Sequence, residues 1–201
     1  MISIYKLKPK FQQVLNPVLL FLHKHKITAN QITIGSVFLS ILIALLFWNA
    51  DTNKWYFLSL PIGLLLRMAF NALDGMMARK FNQISKLGEI LNEVGDVISD
   101  VVIFFPLLKF QPESLYLVII FIVLSVINEF SGVLGKVIGA DRRYDGPMGK
   151  SDRAFVLGVY GLIKFFEVPM ASYSNYIFGA VILLIAISTF TRLKKSLSEV
   201  K

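Results

Sequence analysis

The chain has no cysteine and only two histidines, His23 and His25. No disulfide frame or thiolate metal site is available, and any bound metal must take oxygen or histidine ligands. Charge is also scarce: 17% of the 201 residues are charged against 55% hydrophobic, with a mean hydropathy of +0.65. That balance excludes an ordinary soluble domain and indicates an integral membrane protein. Low-complexity tracts and internal repeats are absent, which argues against a transporter built from repeated halves around a midplane site. No nucleic-acid motif accompanies the net charge of +8. The first 30 residues are basic and interrupted by Pro9 and Pro17, with no small-residue cleavage site, so a signal peptide is not expected.

Long apolar runs fill most of the remainder. Six segments approach the ~20 residues needed to cross a bilayer: about 31–49, 55–73, 88–108, 115–138, 152–168 and 173–191. Ahead of them, Phe11, Val14, Leu15, Val18 and Leu22 recur at helical spacing, as in a helix lying in the interface. A break is expected at Asn16-Pro17, a capping pair, and His23 and His25 read as headgroup contacts. Either Thr28 or Asn30 is suited to cap the first span. The expected fold is thus all-α: an amphipathic juxtamembrane segment over 1–30, a six-helix bundle over 31–191 and a tail over 192–201, in one membrane domain.

Lys and Arg are distributed unevenly between alternate connections. With the N-terminus inside, 17 lie on the cytoplasmic side, from Lys6, Lys8 and Lys10 through Lys201. Three, Lys54, Lys109 and Lys164, lie outside, and Arg67 stands alone at membrane depth. The excess of cations in cytoplasmic loops predicts both termini to be cytoplasmic, with a basic rim facing anionic membrane lipids.

Against this background, residues 71–100 concentrate acids at the cytoplasmic ends of spans 2 and 3. Asn71 and Asp74 are three apart, and Asn92, Asp96 and Asp100 are four apart in series, so each set shares a helix face. Carboxylates at such depth are expensive unless paired or functional, and few cations lie nearby. A divalent ion such as Mg²⁺, Mn²⁺ or Ca²⁺ answers the need, and Mg²⁺ commonly joins one or two carboxylates to substrate phosphates. That chemistry points to a nucleotide or pyrophosphate ligand. Gly75 permits close approach to the helix backbone, and Arg79 is placed to hold a phosphate oxygen. The plain alternative is an acidic helix end with a glycine for packing. A further acid, Glu129 in span 4, is expected to pair with Arg67 across the bundle, the alternative being a place at a subunit contact.

The run Asp74-Gly75-x-x-Ala78-Arg79, eight residues, Gly88, then Asn92 and Asp96 at four-residue steps resembles the signature of the CDP-alcohol phosphotransferase (CDP-alcohol phosphatidyltransferase) family, D-x-x-D-G-x-x-A-R, eight or nine residues, G-x-x-x-D-x-x-x-D. Thr28-Ala29-Asn30-Gln31-Ile32-Thr33 is similar to the family's P-N-x-x-T element, and Gly149-Lys150 to its G-K element. The match departs at two positions, where Asn71 and Asn92 replace aspartates. The resemblance implies that Asp74, Asp96, Asn71 and Asn92 hold one or two Mg²⁺ or Mn²⁺ ions. Glu93 and Asp100 are the acids available to compensate for the two amides, although Glu93 lies roughly 100° around the helix from Asn92 and Asp100 one turn deeper. Asp96 would also be the base that deprotonates an attacking hydroxyl. Asn30, Thr33, Asn71, Asp74, Gly75, Ala78, Arg79 and Gly88 would bind the nucleotide. The implied reaction moves a phosphatidyl group from a CDP-lipid such as CDP-diacylglycerol to a polar alcohol, phosphorylated or not, with release of CMP. A homodimer in a bacterial inner membrane, with its site on the cytoplasmic side, is also implied. Three versions stay open: an active enzyme with altered metal occupancy, an active enzyme with a shifted ligand set, and a CDP-lipid-binding descendant that has lost chemistry. Arg142, Arg143, Lys150 and Arg153 gather around the loop before span 5 and are the candidates for acceptor binding; obedience to the positive-inside rule explains each of them singly. Asp152 among them favours an ordered pocket.

Overall fold

In the computed structural model of the protein, residues 8–200 are described. Lys6 and Lys201, two of the cations counted on the cytoplasmic side, lie outside the described residues. Among the described residues every regular element is helical. The chain divides into two compact units, one ending at Ile103 and one beginning at Phe104.

The first unit starts with α1 (Lys8–Lys24), α2 (Ala29–Trp48) and α3 (Ser59–Lys80), the last entered through a 3-10 turn over Lys54–Leu58, and closes within the last turn of α4 (Lys86–Phe104). Helix α1 runs unbroken through Pro17, contrary to the break expected at Asn16-Pro17. Leu15, Leu19 and Leu22 explain this. Leu19 is fully buried in a cluster with Ala29, Ile32, Leu73 and Met77, and Leu15 and Leu22 pack against it. An interior proline costs about 3 kcal/mol, which burial of the three leucines together, at up to ~1.5–3 kcal/mol each, offsets. Asn16 caps nothing; its Oδ1 accepts from Lys80 Nζ at 2.9 Å. The His23 ring lies flat on Phe81, centroids 3.5 Å apart, so this side chain docks α1 on the end of α3.

Thr28 is the residue that caps α2. Its Oγ1 accepts from Gln31 N–H at 3.3 Å, while Gln31 Oε1 accepts from Thr28 N–H at 2.9 Å, a reciprocal capping box. Gln83, in the connection from α3 to α4, adds a third acceptor at 2.8 Å to Ala29 N–H. Asn30 is thereby left out of the cap.

The second unit holds a short α5 (Leu107–Phe110), then α6 (Leu115–Val137), α7 (Lys150–Phe165) and α8 (Ser174–Val200). Helices α6 and α8 pack lengthwise around Val118, Phe121, Val181 and Ile185, all buried. Asn128 Nδ2 donates to Thr189 Oγ1 at 3.0 Å. The connection from α6 to α7 folds back on both helices: Arg143 N–H reaches Gly132 O at 3.1 Å, and Met148 N–H reaches Ser188 Oγ at 2.8 Å. Gly146 makes the second contact feasible. Its φ is +112°, and a Cβ there would stand 2.5 Å from Ser188 Cα. Gly146→Ala is therefore expected to lower stability by about 2–4 kcal/mol, from backbone strain plus overpacking, read as a fall in the thermal unfolding midpoint in detergent.

Each of the six sequence-predicted segments is largely helical, although the third is interrupted at 105–106 and the fifth ends at Phe165; four helical stretches are long and apolar enough to cross a membrane: Ala29–Trp48, Lys54–Lys80, Pro112–Val137 and Ser174–Val200. Helix α4 falls short because Lys86, Glu89, Glu93, Asp96 and Asp100 lie along it. Helix α7, with 16 residues, is roughly 24 Å long at ~1.5 Å per residue, shorter than a ~30 Å hydrocarbon core. The predicted tail from 192 is helical through Val200, because Arg192 and Ser196 turn inward and are buried.

Candidate functional site

Three helices of the first unit bring the predicted residues together. Arg67, Asn71 and Asp74 occupy one face of α3, Asp96 and Asp100 one face of α4, and Thr33 and Ser36 one face of α2. Thr33 Oγ1 donates to Asp74 Oδ2 at 2.9 Å, and Asp74 is buried. Ser36 Oγ donates to Asn71 Oδ1 at 2.9 Å, and Asn71 Nδ2 donates to Asp96 Oδ1 at 3.1 Å. Arg67 Nη2 stands 3.7 Å from the same Asp96 oxygen and donates to the Asp96 backbone carbonyl at 3.3 Å. Its Nη1 pairs with Asp100 Oδ1 at 2.8 Å. The Asp96 side chain is 18% exposed against 4% for Arg67, so one guanidinium is buried behind two carboxylates and Asp96 is the more open of the groups.

Gly88 opens the N-terminal turn of α4 against α2. A Cβ on it would meet Asn30 Oδ1 at 2.9 Å and Ser85 Oγ at 3.1 Å, so this pairing of Asn30 with Gly88 depends on the missing side chain. The Arg79 guanidinium lies back over Gly75, its Nη1 3.2 Å from where a Cβ would be. Ala78 packs against the α1–α3 apolar cluster. Asn92 and Glu93 are half-buried on α4.

Among the described residues, no three His, Asp or Glu side chains converge as a metal-binding group. The donors present at the motif positions are two carboxylates, Asp74 and Asp96, and two amides, Asn71 and Asn92. Such a set fits one divalent ion whose shell is completed by substrate phosphates. It does not make a self-sufficient cage for two.

The second unit contains a separate charged cluster. Glu129 Oε1 accepts from Arg153 Nη2 at 2.9 Å and lies 3.5 Å from Arg192 Nη1, while its Oε2 pairs with Arg142 Nη2 at 3.1 Å. Arg153 Nη1 also donates to Asn128 Oδ1 at 3.2 Å, and Arg192 Nη1 to Asn128 O at 2.6 Å. The expected Glu129–Arg67 pair is therefore incorrect: three arginines satisfy Glu129, and Arg67 is satisfied by Asp96 and Asp100. Of the four predicted acceptor residues, Arg142 and Arg153 share Glu129, whereas Arg143 turns to Glu199 and Lys150 sits at the start of α7. Asp152 caps that helix, its Oδ2 accepting from Gly149 N–H at 2.9 Å. Arg142 also lies over the Tyr144 ring, 4.3 Å from its centroid.

Sequence reasoning missed two members of these networks, Ser36 and Arg192, and gave Arg67 the wrong partner. Arg67 lies four residues before Asn71 on the same helix face, and Ser36 three residues after Thr33. Arg192 carried no local signal beyond its place among the cations of the last segment.

The family model described as CDP-alcohol phosphatidyltransferase matches residues 26–191. The inner membrane protein YnbA of Escherichia coli is 42% identical over 195 residues, covering 97% of this chain and 96% of that protein. Choline/ethanolaminephosphotransferase 1 of Saccharomyces cerevisiae is 30% identical over 104 residues, 49% of this chain and 26% of that one. Among solved structures, Mycobacterium tuberculosis phosphatidylinositol phosphate synthase (PgsA1) with manganese and citrate superposes with a TM-score of 0.75 at 22% identity, covering 90% of this chain and 88% of that chain. The same enzyme with CDP-DAG bound gives 0.70 at 22% identity, with 94% of each chain covered; at that identity the likeness concerns the fold. By the extent of the family match and of the YnbA alignment, the chain belongs to the CDP-alcohol phosphatidyltransferase family.

Proposed function

We propose that the protein transfers a phosphatidyl group from a CDP-lipid, CDP-diacylglycerol in the first instance, to a small polar alcohol. The alcohol oxygen bonds to the lipid-side phosphorus, the P–O bond to CMP breaks, and the hydroxyl proton passes to Asp96. The observation that carries this reading is the convergence of Asp74 and Asp96 from two helices onto one hydrogen-bonded site with Thr33, Ser36 and Asn71. Of the four family positions, Asp74, Asp96 and Asn92 would hold Mg²⁺ or Mn²⁺, while the Asn71 amide is engaged by Ser36 and Asp96; when bound such an ion supplies positive charge against the pyrophosphate. Asp96 is oriented for proton transfer by Asn71 and Arg67. Thr33 and Asn30 of α2, with Gly75, Ala78, Arg79 and Gly88, are assigned to the nucleotide, Arg79 by charge and the glycines by letting Arg79 and Asn30 lie close against the helix backbone. The PgsA1 complexes with manganese and with CDP-DAG support both ligand assignments by analogy of fold.

Arg142, Arg143, Lys150 and Arg153 are the proposed acceptor residues. Three guanidinium groups around one carboxylate leave an excess of positive charge, which suits an acceptor that itself carries phosphate. The proposed setting is a bacterial inner membrane, as in the name of YnbA, with six spans, α1 at the interface, cytoplasmic termini and a homodimeric assembly.

The test is CMP release from CDP-diacylglycerol by the purified protein in nanodiscs, with Mg²⁺ or Mn²⁺ and a panel of polyols with and without phosphate. Metal-dependent CMP release that requires one of the alcohols, strongest for a phosphorylated polyol, is the expected result. Binding of the CDP-lipid with no CMP under any condition would instead establish a lipid-nucleotide binding protein, the alternative that Asn71 and Asn92 leave open.

A further inference from the structure

Asn71 stands where the family signature has an acid, and its surroundings say what an amide does there. Both ends of the side chain are engaged: Oδ1 accepts from Ser36 and Nδ2 donates to Asp96. Only this orientation fits, since an ionised carboxylate accepts and cannot donate. An aspartate at 71 would place carboxylate against carboxylate about 3 Å apart, an arrangement that demands a proton or a cation between them. Arg67 contributes a second non-metal link, lying near the Asp96 carboxylate, donating to its backbone carbonyl and pairing with Asp100. Helices α3 and α4 are thus tied at this level by an amide and a guanidinium. To ligate a cation beside Asp96, the Asn71 amide would have to turn over, surrendering its hydrogen bond to Asp96 and reversing the one with Ser36.

We propose that Asn71 is a positioning residue and not a metal ligand: with Arg67 it holds Asp96 in place without a cation, and the protein takes up a single divalent ion only together with the CDP-lipid pyrophosphate. This rests on the assignment of the site to a CDP-lipid given above. The donor set agrees with it. Two motif carboxylates, Asp74 and Asp96, are few for a divalent ion on their own, and the pyrophosphate brings the oxygens that they cannot supply.

The experiment titrates Mn²⁺ into the full-length protein in phosphatidylcholine nanodiscs, following free ion by its EPR signal, with and without CDP-diacylglycerol and with protein-free discs as blank. Thermal unfolding is recorded in EDTA and in Mn²⁺. For the wild type, saturable uptake is expected only with CDP-lipid, at one ion per chain, and an unfolding midpoint that EDTA does not lower. Asn71→Asp is expected to bind Mn²⁺ without CDP-lipid at least about tenfold more tightly than the wild type, the effect of one added close charge, and to acquire a midpoint that falls in EDTA and recovers with Mn²⁺. Asn71→Ala should be less stable with no Mn²⁺ rescue. Two ions per wild-type chain, tight uptake without CDP-lipid, or a wild-type midpoint that depends on Mn²⁺ would overturn the proposal. Should Asn71→Asp fail to fold, the wild-type titration decides alone. Failure to bind CDP-lipid at all would sink the transferase reading instead, and the EDTA and Asn71→Asp measurements would still judge the role of Asn71.

Discussion

Asp96→Asn is expected to cut CMP release by roughly 10²–10⁴-fold, the range over which a positioned general base contributes, while the protein stays folded. The substitution keeps the shape of the side chain and removes only its charge and basicity. Its neighbours tolerate that: Asn71 Nδ2 can still donate to the remaining carbonyl oxygen, Arg67 retains Asp100 at 2.8 Å, and the Arg67 contact to residue 96 through the backbone carbonyl is untouched. The loss should therefore be chemical. Parallel measurement of CMP release, CDP-lipid binding and the unfolding midpoint separates the two. Activity within about threefold of wild type would remove Asp96 from the role of base and pass it to Glu93 or Asp100, the other acids of the same helix.

Glu129→Ala is expected to produce the largest loss of stability in the chain. Glu129 is 5% exposed and faces Arg153 and Arg192, each 1% exposed, with Arg142 on its other oxygen. Removing it leaves three cations around a vacated site, and breaking a buried ion pair from one side costs about 3–5 kcal/mol. That is a large share of the ~5–15 kcal/mol that holds a typical domain together. Glu129→Ala should fail to accumulate as a monodisperse species, and Glu129→Gln, which keeps the acceptor oxygen but not the charge, should survive with a clearly lowered midpoint. Arg142→Ala should be milder, since Arg153 and Arg192 continue to satisfy Glu129. A Glu129→Gln protein that melts with the wild type would show that the carboxylate charge does not hold this cluster.

The candidate site illustrates how far local spacing reaches. Asn71 and Asp74 at three residues, and Asn92, Asp96 and Asp100 at four, fall on common helix faces whatever the rest of the chain does, because the 3.6-residue turn is a local property. The motif could thus be read with its two amide substitutions. What those amides do could not: Asn71 was legible as an oxygen donor, yet the hydrogen-bonded orientation that makes it a donor to Asp96 depends on Ser36 arriving from α2. The choice of cap was also open, since Thr28 and Asn30 are both suited to the position, and Gln31 together with Gln83 settled it for Thr28.

Arg67 and Glu129 mark the boundary most clearly. Each is a lone charge in an apolar run, and the sequence alone determined that each needs a partner, because an unpaired charge in an apolar interior is too costly to persist. Sequence by itself also determined the helical, lipid-compatible character of the chain and the family to which its acidic motif belongs, since composition, period and motif spacing are carried within a few turns. The tertiary structure decided which partner each charge takes, why α1 survives Pro17, and that residues 192–200 remain helical. Those outcomes turn on which helix faces meet, and a helix face swings by about 100° with each residue, so a contact between distant segments has no signature in either segment alone.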